Sequence, residues 1–295
     1  MKSTCLMTFD VEEHFQIEAA RPYISPRTWA SRESRLEANV DWLLEQLAAA
    51  GARATFFTLG YVARRHSHMV KRIVEAGHEL ACHGDEHDML HRLTPGTFRE
   101  DLRRAKHALQ DSTGVVVRGY RAPTFSLTRQ TAWAVDVLAD EGFVYDSSVQ
   151  PIHHPQYGQA DAPRWAYHLT SAAGRSVLEL PPLTWQGGPL RLPVAGGGYF
   201  RLLPLALMRW GIEQAHQLGH PAMLYFHPWE FDPNQPRLPL RRAARWRTYV
   251  GIDQTRKRMQ SLLSLYRCIA VDDWLRDADV KKWPTYSLTP QISAA

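Results

Sequence analysis

Two histidines four residues apart, His83-Gly-Asp-Glu-His87, can offer a pair of neutral nitrogen donors to one cation. If the segment turns helically, both rings face the same way. The spacing alone is weak evidence, because 14 histidines in 295 residues produce such a pair readily by chance. The carboxylates that a metal site needs occur in Asp10-Val11-Glu12-Glu13. Two imidazoles and one carboxylate leave a coordination position open, as a catalytic rather than a structural metal centre requires. Each residue also has a plainer use: an acidic strand end as a cap or ion-pair partner, His83 or His87 as a hydrogen-bonding side chain.

Short β-rich runs alternate with amphipathic helical windows along the chain, the pattern of a parallel α/β sheet or barrel. Strands are expected over 4–9, 54–59, 78–82, 115–119, 222–226 and 267–271. Helices are expected over 33–50, 70–76, 94–114, 128–141, 203–218 and 253–263. Pro- and Gly-rich stretches at 151–163 and 185–199 predict loops. Four strands run into a charged or titratable residue just past their C-terminal ends: Asp10, His83, Arg121 and His227. In a parallel barrel those ends converge on one face, where active sites are assembled.

Composition narrows the class. A chain that is 44% hydrophobic can bury the core of one elaborated α/β domain. No apolar run approaches the roughly 20 residues that span a bilayer. Acidic residues break the first apolar stretch too early for a secretory signal. Cys5, Cys82 and Cys268 are scattered, so no disulfide framework is expected and a reducing cytoplasm fits best. Of the 35 basic residues 6 are lysine, leaving 29 arginines, with a formal charge of +5. The densest run, 237–247 (RLPLRRAARWR), reads most plainly as a solvated face, the alternative being a surface for an anionic glycan or phosphorylated carrier. No nucleic-acid motif accompanies the charge, so nucleic acid is not an expected partner.

Several motifs occur in order: Thr8-Phe-Asp10-Val-Glu12-Glu13, His83-x-x-x-His87, Gly119-Tyr-Arg121-Ala-Pro123, Tyr145-Asp146-Ser-Ser148, Glu179-Leu-Pro181, Gly196-Gly-Gly-Tyr-Phe-Arg201 and Tyr225-Phe-His227-Pro-Trp229-Glu230. As an ordered set they resemble the polysaccharide deacetylases of carbohydrate esterase family 4, the NodB-homology family. The nearest likeness is to the branch associated with exopolysaccharide and exosortase gene clusters. The resemblance runs over about residues 4–231, and the C-terminal part is also like that branch. It implies a distorted (β/α) barrel of about seven strands over 1–231, with 232–295 as an extension packed on it. It also implies one divalent metal, usually zinc, and an N-acetylated polysaccharide or its precursor as substrate, deacetylated during exopolysaccharide biosynthesis.

On that resemblance, His83 and His87 are the nitrogen ligands, and the metal acts as a Lewis acid toward the attacking water. Asp10 is the general base, held ionised and aimed by Arg121. A backbone N–H near Thr124 and the metal accept the developing oxyanion. His227 is the general acid that protonates the leaving amine, and Asp146 its hydrogen-bonding partner. Trp229, Tyr199 and Trp185 are candidates to stack on sugar rings, although large aromatics are as often core. His14 lies close enough in sequence to reach substrate.

One departure matters. The family pattern has two adjacent aspartates, base then ligand, but Val11 fills the second position here. The metal carboxylate is then Glu12 or Glu13, and Glu12 is preferred because it is two residues from Asp10 on an extended chain. Two rival readings stay open: hydrolysis of another C–N bond, such as a cyclic imide, and a non-catalytic glycan-binding barrel. Oligomeric state is not legible.

Overall fold

A computed structural model describes residues 2–154 and 156–288; the last seven residues of the expected C-terminal extension, 289–295, lie outside the described residues. The strands in chain order are β1 (Thr4–Val11), β2 (Thr55–Thr58), β3 (Glu79–Cys82), β4 (Gly119–Tyr120), β5 (Tyr145–Asp146), β6 (Tyr167–Thr170), β7 (Ser176–Glu179), β8 (Thr184–Gly187), β9 (Leu190–Pro193), β10 (Ala222–Phe226), β11 (Arg267–Ile269) and β12 (Thr285–Ser287). Along the path β10-β1-β2-β3-β4-β5-β7 every pairing is parallel, which gives the seven strands of a distorted barrel.

The ring closes without a further strand ladder. After β7 the chain crosses from β5 to β10: Leu180 N–H donates to Asp146 O at 2.9 Å and Leu183 N–H to Met223 O at 2.9 Å. Tyr225 N–H then donates to Ala195 O at 3.1 Å. Gly196 is required at this seam, because a Cβ there would meet Tyr225 O at 1.6 Å.

Alternation along β1 explains how one strand serves two layers. Cys5, Met7, Phe9 and Val11 pack outward into the large core shared with helices 36–49, 60–65, 67–75 and 95–113. Leu6 faces the lumen with Phe57, Ala81, Tyr145, Leu180 and Met223. Thr8 and Asp10 continue that inward face toward the C-terminal end, where polar atoms replace hydrocarbon. The lumen is therefore apolar at its base and lined with polar groups at its top.

Most expected elements are present, with instructive differences. The strand expected over 115–119 is only Gly119–Tyr120, which pairs with β3 through Tyr120 and with β5 through both residues. The helix expected over 128–141 splits into a 3-10 turn at Arg129–Thr131 and a helix at Ala134–Asp140. The stretch 185–199 is not a loop: it holds the antiparallel pair β8–β9 and the start of a helix, Gly197–Leu202. The β6–β7 hairpin and a helix at Val271–Asp277 were not anticipated. The C-terminal segment enters the barrel's own sheet. β2 pairs with the upper half of β1, Thr8–Val11, and β11 takes the free lower edge at Thr4–Leu6. No helix among the described residues is long and apolar enough to cross a membrane, and all three cysteines are free and buried.

Candidate active site

Four strand ends do converge. Asp10 sits near the end of β1, His83 directly after β3, Arg121 after β4 and His227 after β10. Arg121 is wholly buried and uses its fork completely. Nη1 donates to Asp10 Oδ1 at 2.6 Å and to Thr8 Oγ1 at 2.8 Å, while Nε and Nη2 donate to the backbone and hydroxyl oxygens of Ser147 at 3.2 and 3.0 Å. Its guanidinium lies 4.1 Å from the centre of the Phe57 ring. A charge this deep is tolerable only when paired and hydrogen-bonded throughout, as here. Gly119 permits the close strand packing behind it, since a Cβ there would lie 2.1 Å from the Tyr145 ring.

His83 and His87 do share a site, but not through a helical turn. Residues 83–87 form an irregular loop with Gly84 at φ 80° and His87 at φ 55°. The loop is clamped from outside: Gly60 N–H and Tyr61 N–H donate to Gly84 O and Asp85 O, and Asp101 Oδ2 accepts from Asp85 N–H at 3.1 Å. Arg64 and Arg104 hold the Asp85 carboxylate at 2.6 and 2.9 Å. The two imidazole rings end 5.3 Å apart, centre to centre.

Glu12, His83 and His87 each present one ligand atom within 4.8 Å of the other two, and all three are buried. His83 Nδ1 lies 2.8 Å from Arg121 O; a carbonyl only accepts, so Nδ1 carries the proton and Nε2 keeps its lone pair for a cation. Burial pushes the His83 pKa down to about 4, so the ring is neutral, as a ligand must be. Glu12 Oε2 is 2.7 Å from His87 Nε2, yet it has no aligned hydrogen-bond partner. Two atoms close together without alignment suit a shared third point, and the donor set fits a divalent cation such as zinc. Burial alone would raise the Glu12 pKa, but His87, His227 and His83 hold it down at about 2.

Glu12 rather than Glu13 belongs to this cluster. Glu13 turns away, its carboxylate accepting from the Ser34 hydroxyl and from Arg35 N–H. His14 is buried between Glu13 and Phe15, away from the cluster.

His227 faces both carboxylates, with Nε2 at 3.8 Å from Asp10 Oδ2 and from Glu12 Oε1. Its partner on the other side is not Asp146. That residue accepts from Ser148 Oγ at 2.5 Å and is buried against Glu179, so its carboxyl steadies the Ser147–Ser148 segment that holds Arg121. The partner is Glu230, whose Oε2 lies 3.3 Å from His227 Nδ1 and accepts from His227 N–H at 3.0 Å. Glu230 is fully buried and ion-paired with Arg201. Burial opposes charge on His227, but Glu230 first, then Glu12 and Asp10, raise its pKa to about 9. The signal in the sequence was the i, i+3 spacing that closes a capping box from His227 to Glu230.

Trp229 is buried and does not form an open platform. Only 7% exposed, it donates its indole N–H to Glu12 Oε1 at 3.1 Å and stacks against His227 with ring centres 5.3 Å apart. Arg201 lies 5.1 Å from the same ring. Tyr199 is half-buried beside Tyr157 and near Tyr225. Thr124 adopts φ 57°, ψ 25° and Phe125 φ 52°. Together with His87 they are the non-glycine residues of positive φ among those described, and all follow β3 or β4 at this one face.

Residues 22–142 match the polysaccharide deacetylase family model, and residues 147–276 match a domain of unknown function, DUF3473. His83, His87 and Arg121 fall in the first match, His227 and Glu230 in the second, while Asp10 and Glu12 precede both. The assigned polysaccharide deacetylase YheN of Bacillus subtilis is 36% identical over 35% of this chain and 37% of its own length. The peptidoglycan deacetylase of Helicobacter pylori is 30% identical over 38% of each. The chain thus spans little more than a third of the length of these curated relatives. A crystal structure of a Mycobacterium smegmatis protein assigned as a polysaccharide deacetylase superposes with a TM-score of 0.67, covering 98% of this chain and 94% of that one at 22% identity.

Proposed function

We propose that this chain, whose residues 22–142 match the polysaccharide deacetylase family model, is a metal-dependent hydrolase that removes N-acetyl groups from a polysaccharide or its precursor. The observation that carries the reading is the buried Glu12–His83–His87 triad facing Asp10, Arg121 and His227. A divalent cation held by that triad, zinc being the first choice, supplies Lewis acidity toward a water and a carbonyl oxygen. Asp10, fixed by Arg121, takes the proton of the attacking water. In this reading the backbone N–H at Thr124 donates to the developing oxyanion. His227, charged because of Glu230, delivers a proton to the departing amine, without which that group leaves very poorly. Trp229 and Asp146 position these groups, and Tyr199 is the remaining candidate for sugar contact. Exopolysaccharide biosynthesis, a cytoplasmic location, and a 1–231 barrel carrying a 232–295 extension complete the proposal.

The direct test is acetate release from N-acetylglucosamine oligomers. Release that needs added divalent metal and stops with chelator supports the reading. Metal-replete protein that releases none from any N-acetylated glycan removes it, whether in favour of another C–N substrate or a binding-only barrel. The acid has its own signature. His227 is protonated below about 9, so kcat/KM should fall as pH rises through that value. Glu230→Gln should move that alkaline limb toward the ordinary imidazole value near 6.5. A limb left in place by Glu230→Gln refutes His227 as the acid.

A further inference from the structure

Within residues 237–247, Arg237, Arg241, Arg242, Arg245 and Arg247 are all exposed, and none has a carboxylate within ion-pair distance among the described residues. Surface arginines elsewhere are spread more thinly, some of them matched, as Arg72 with Asp41, Arg99 with Glu141 and Arg104 with Asp85, whereas these five lie within eleven residues. Like charges crowded onto a short loop and the helix Arg242–Tyr249 repel one another, so the face favours an anionic partner.

The face also has shape and aromatic character. Arg237, Arg242, Arg245, Trp246, Tyr249 and Val250 line one groove of about 500 Å³ with no acidic residue in its lining. Trp246 is 56% exposed there, and the Arg237 guanidinium lies 4.2 Å from the Tyr249 ring centre. An exposed aromatic ring beside planar guanidinium forks suits a sugar chain bearing acid groups. Apolar sugar faces lie on the rings, and carboxylate, sulfate or phosphate meets the forks.

The groove adjoins the chemistry. Arg201 Nη2 donates to Arg247 O at 3.1 Å while its Nη1 pairs with Glu230, the partner of His227. Tyr249 packs on the same side-chain cluster as Trp229. We propose that this groove binds an anionic stretch of a glycan whose neighbouring N-acetylated unit is presented at the barrel mouth; the second half of that statement rests on the deacetylase reading.

Binding can be measured apart from turnover with an end-labelled oligogalacturonate, an acidic glycan with no acetyl group, titrated into the whole protein. The parent should bind, and Arg242→Gln combined with Arg245→Gln should weaken binding about tenfold. Trp246→Ala should weaken it about fivefold with the charge unchanged. Both variants should keep the parent's melting curve and its rate on neutral chitooligosaccharides. Trp246→Ala binding as tightly as the parent overturns the proposal, because the attraction is then diffuse charge. So does arginine-dependent binding to phosphatidylglycerol vesicles without binding to oligogalacturonate, which would make the face a membrane contact. Protein that binds oligogalacturonate with these variant effects but releases no acetate supports the groove while removing the deacetylase.

Discussion

Glu12 is defined by where its two oxygens go. Oε1 takes the Trp229 indole N–H, and Oε2 is left beside His87 with no aligned partner. The indole therefore orients the carboxylate without consuming the oxygen that a cation needs. Groups that orient a ligand commonly contribute 10- to 100-fold to metal affinity. Trp229→Phe, which keeps the stack on His227 but deletes the donor, should weaken metal binding by roughly that factor in competition with a chromophoric chelator. An unchanged affinity would show that Glu12 is aimed by other means. The choice of Glu12 over Glu13 was legible from the two-residue alternation along β1. The role of Trp229 was not, because a tryptophan 217 residues away in sequence gives no sign of which atom it will reach.

At the scale of elements, the loop 83–87 depends on the helix Pro95–Thr113. Asp101 on that helix holds Asp85 N–H, yet it is buried and close to the Asp85 carboxylate, and both effects push its pKa up to about 7. An acid whose folded pKa exceeds its unfolded value near 3.8 binds its proton more tightly when folded. Its contribution is therefore most favourable at low pH and declines as pH rises from about 4 to 7. Asp101→Asn still offers an oxygen to Asp85 N–H but cannot ionise, so its melting temperature relative to the parent should climb across that window. A flat difference would mean Asp101 does not titrate there. Nothing along the chain announces this clamp: a helical turn for the His-x-x-x-His pair is the simple expectation, and only neighbouring helices make an irregular loop bring the two rings together.

At the scale of the molecule, the ligand cluster draws on β1, β3 and the clamped loop, so metal can bind the folded chain far better than the unfolded one. Zinc at about 100 times its dissociation constant should add about 2.7 kcal/mol, raising the melting temperature by roughly 5 °C. His87→Ala should abolish that shift. A shift that survives in the variant would place the metal elsewhere. The sheet also depends on its ends: β11 covers the lower edge of β1 and β12 pairs with β6, so the C-terminal segment shares the barrel's hydrogen bonding.

Local chemistry determined a good deal by itself. Hydrophobic periodicity set the alternation of strands and helices, and strand-end positions set which polar residues would meet, because in a parallel barrel every C-terminal end opens on one face. Tertiary structure decided what distance along the chain hides. It put Glu230 rather than Asp146 against His227 and turned Glu13 toward Ser34 and Arg35. It sealed the barrel at Leu183 and Gly196, and it buried Trp229 behind Glu12. Those outcomes depend on which side chains share a volume after closure, and no spacing rule along one strand carries that information.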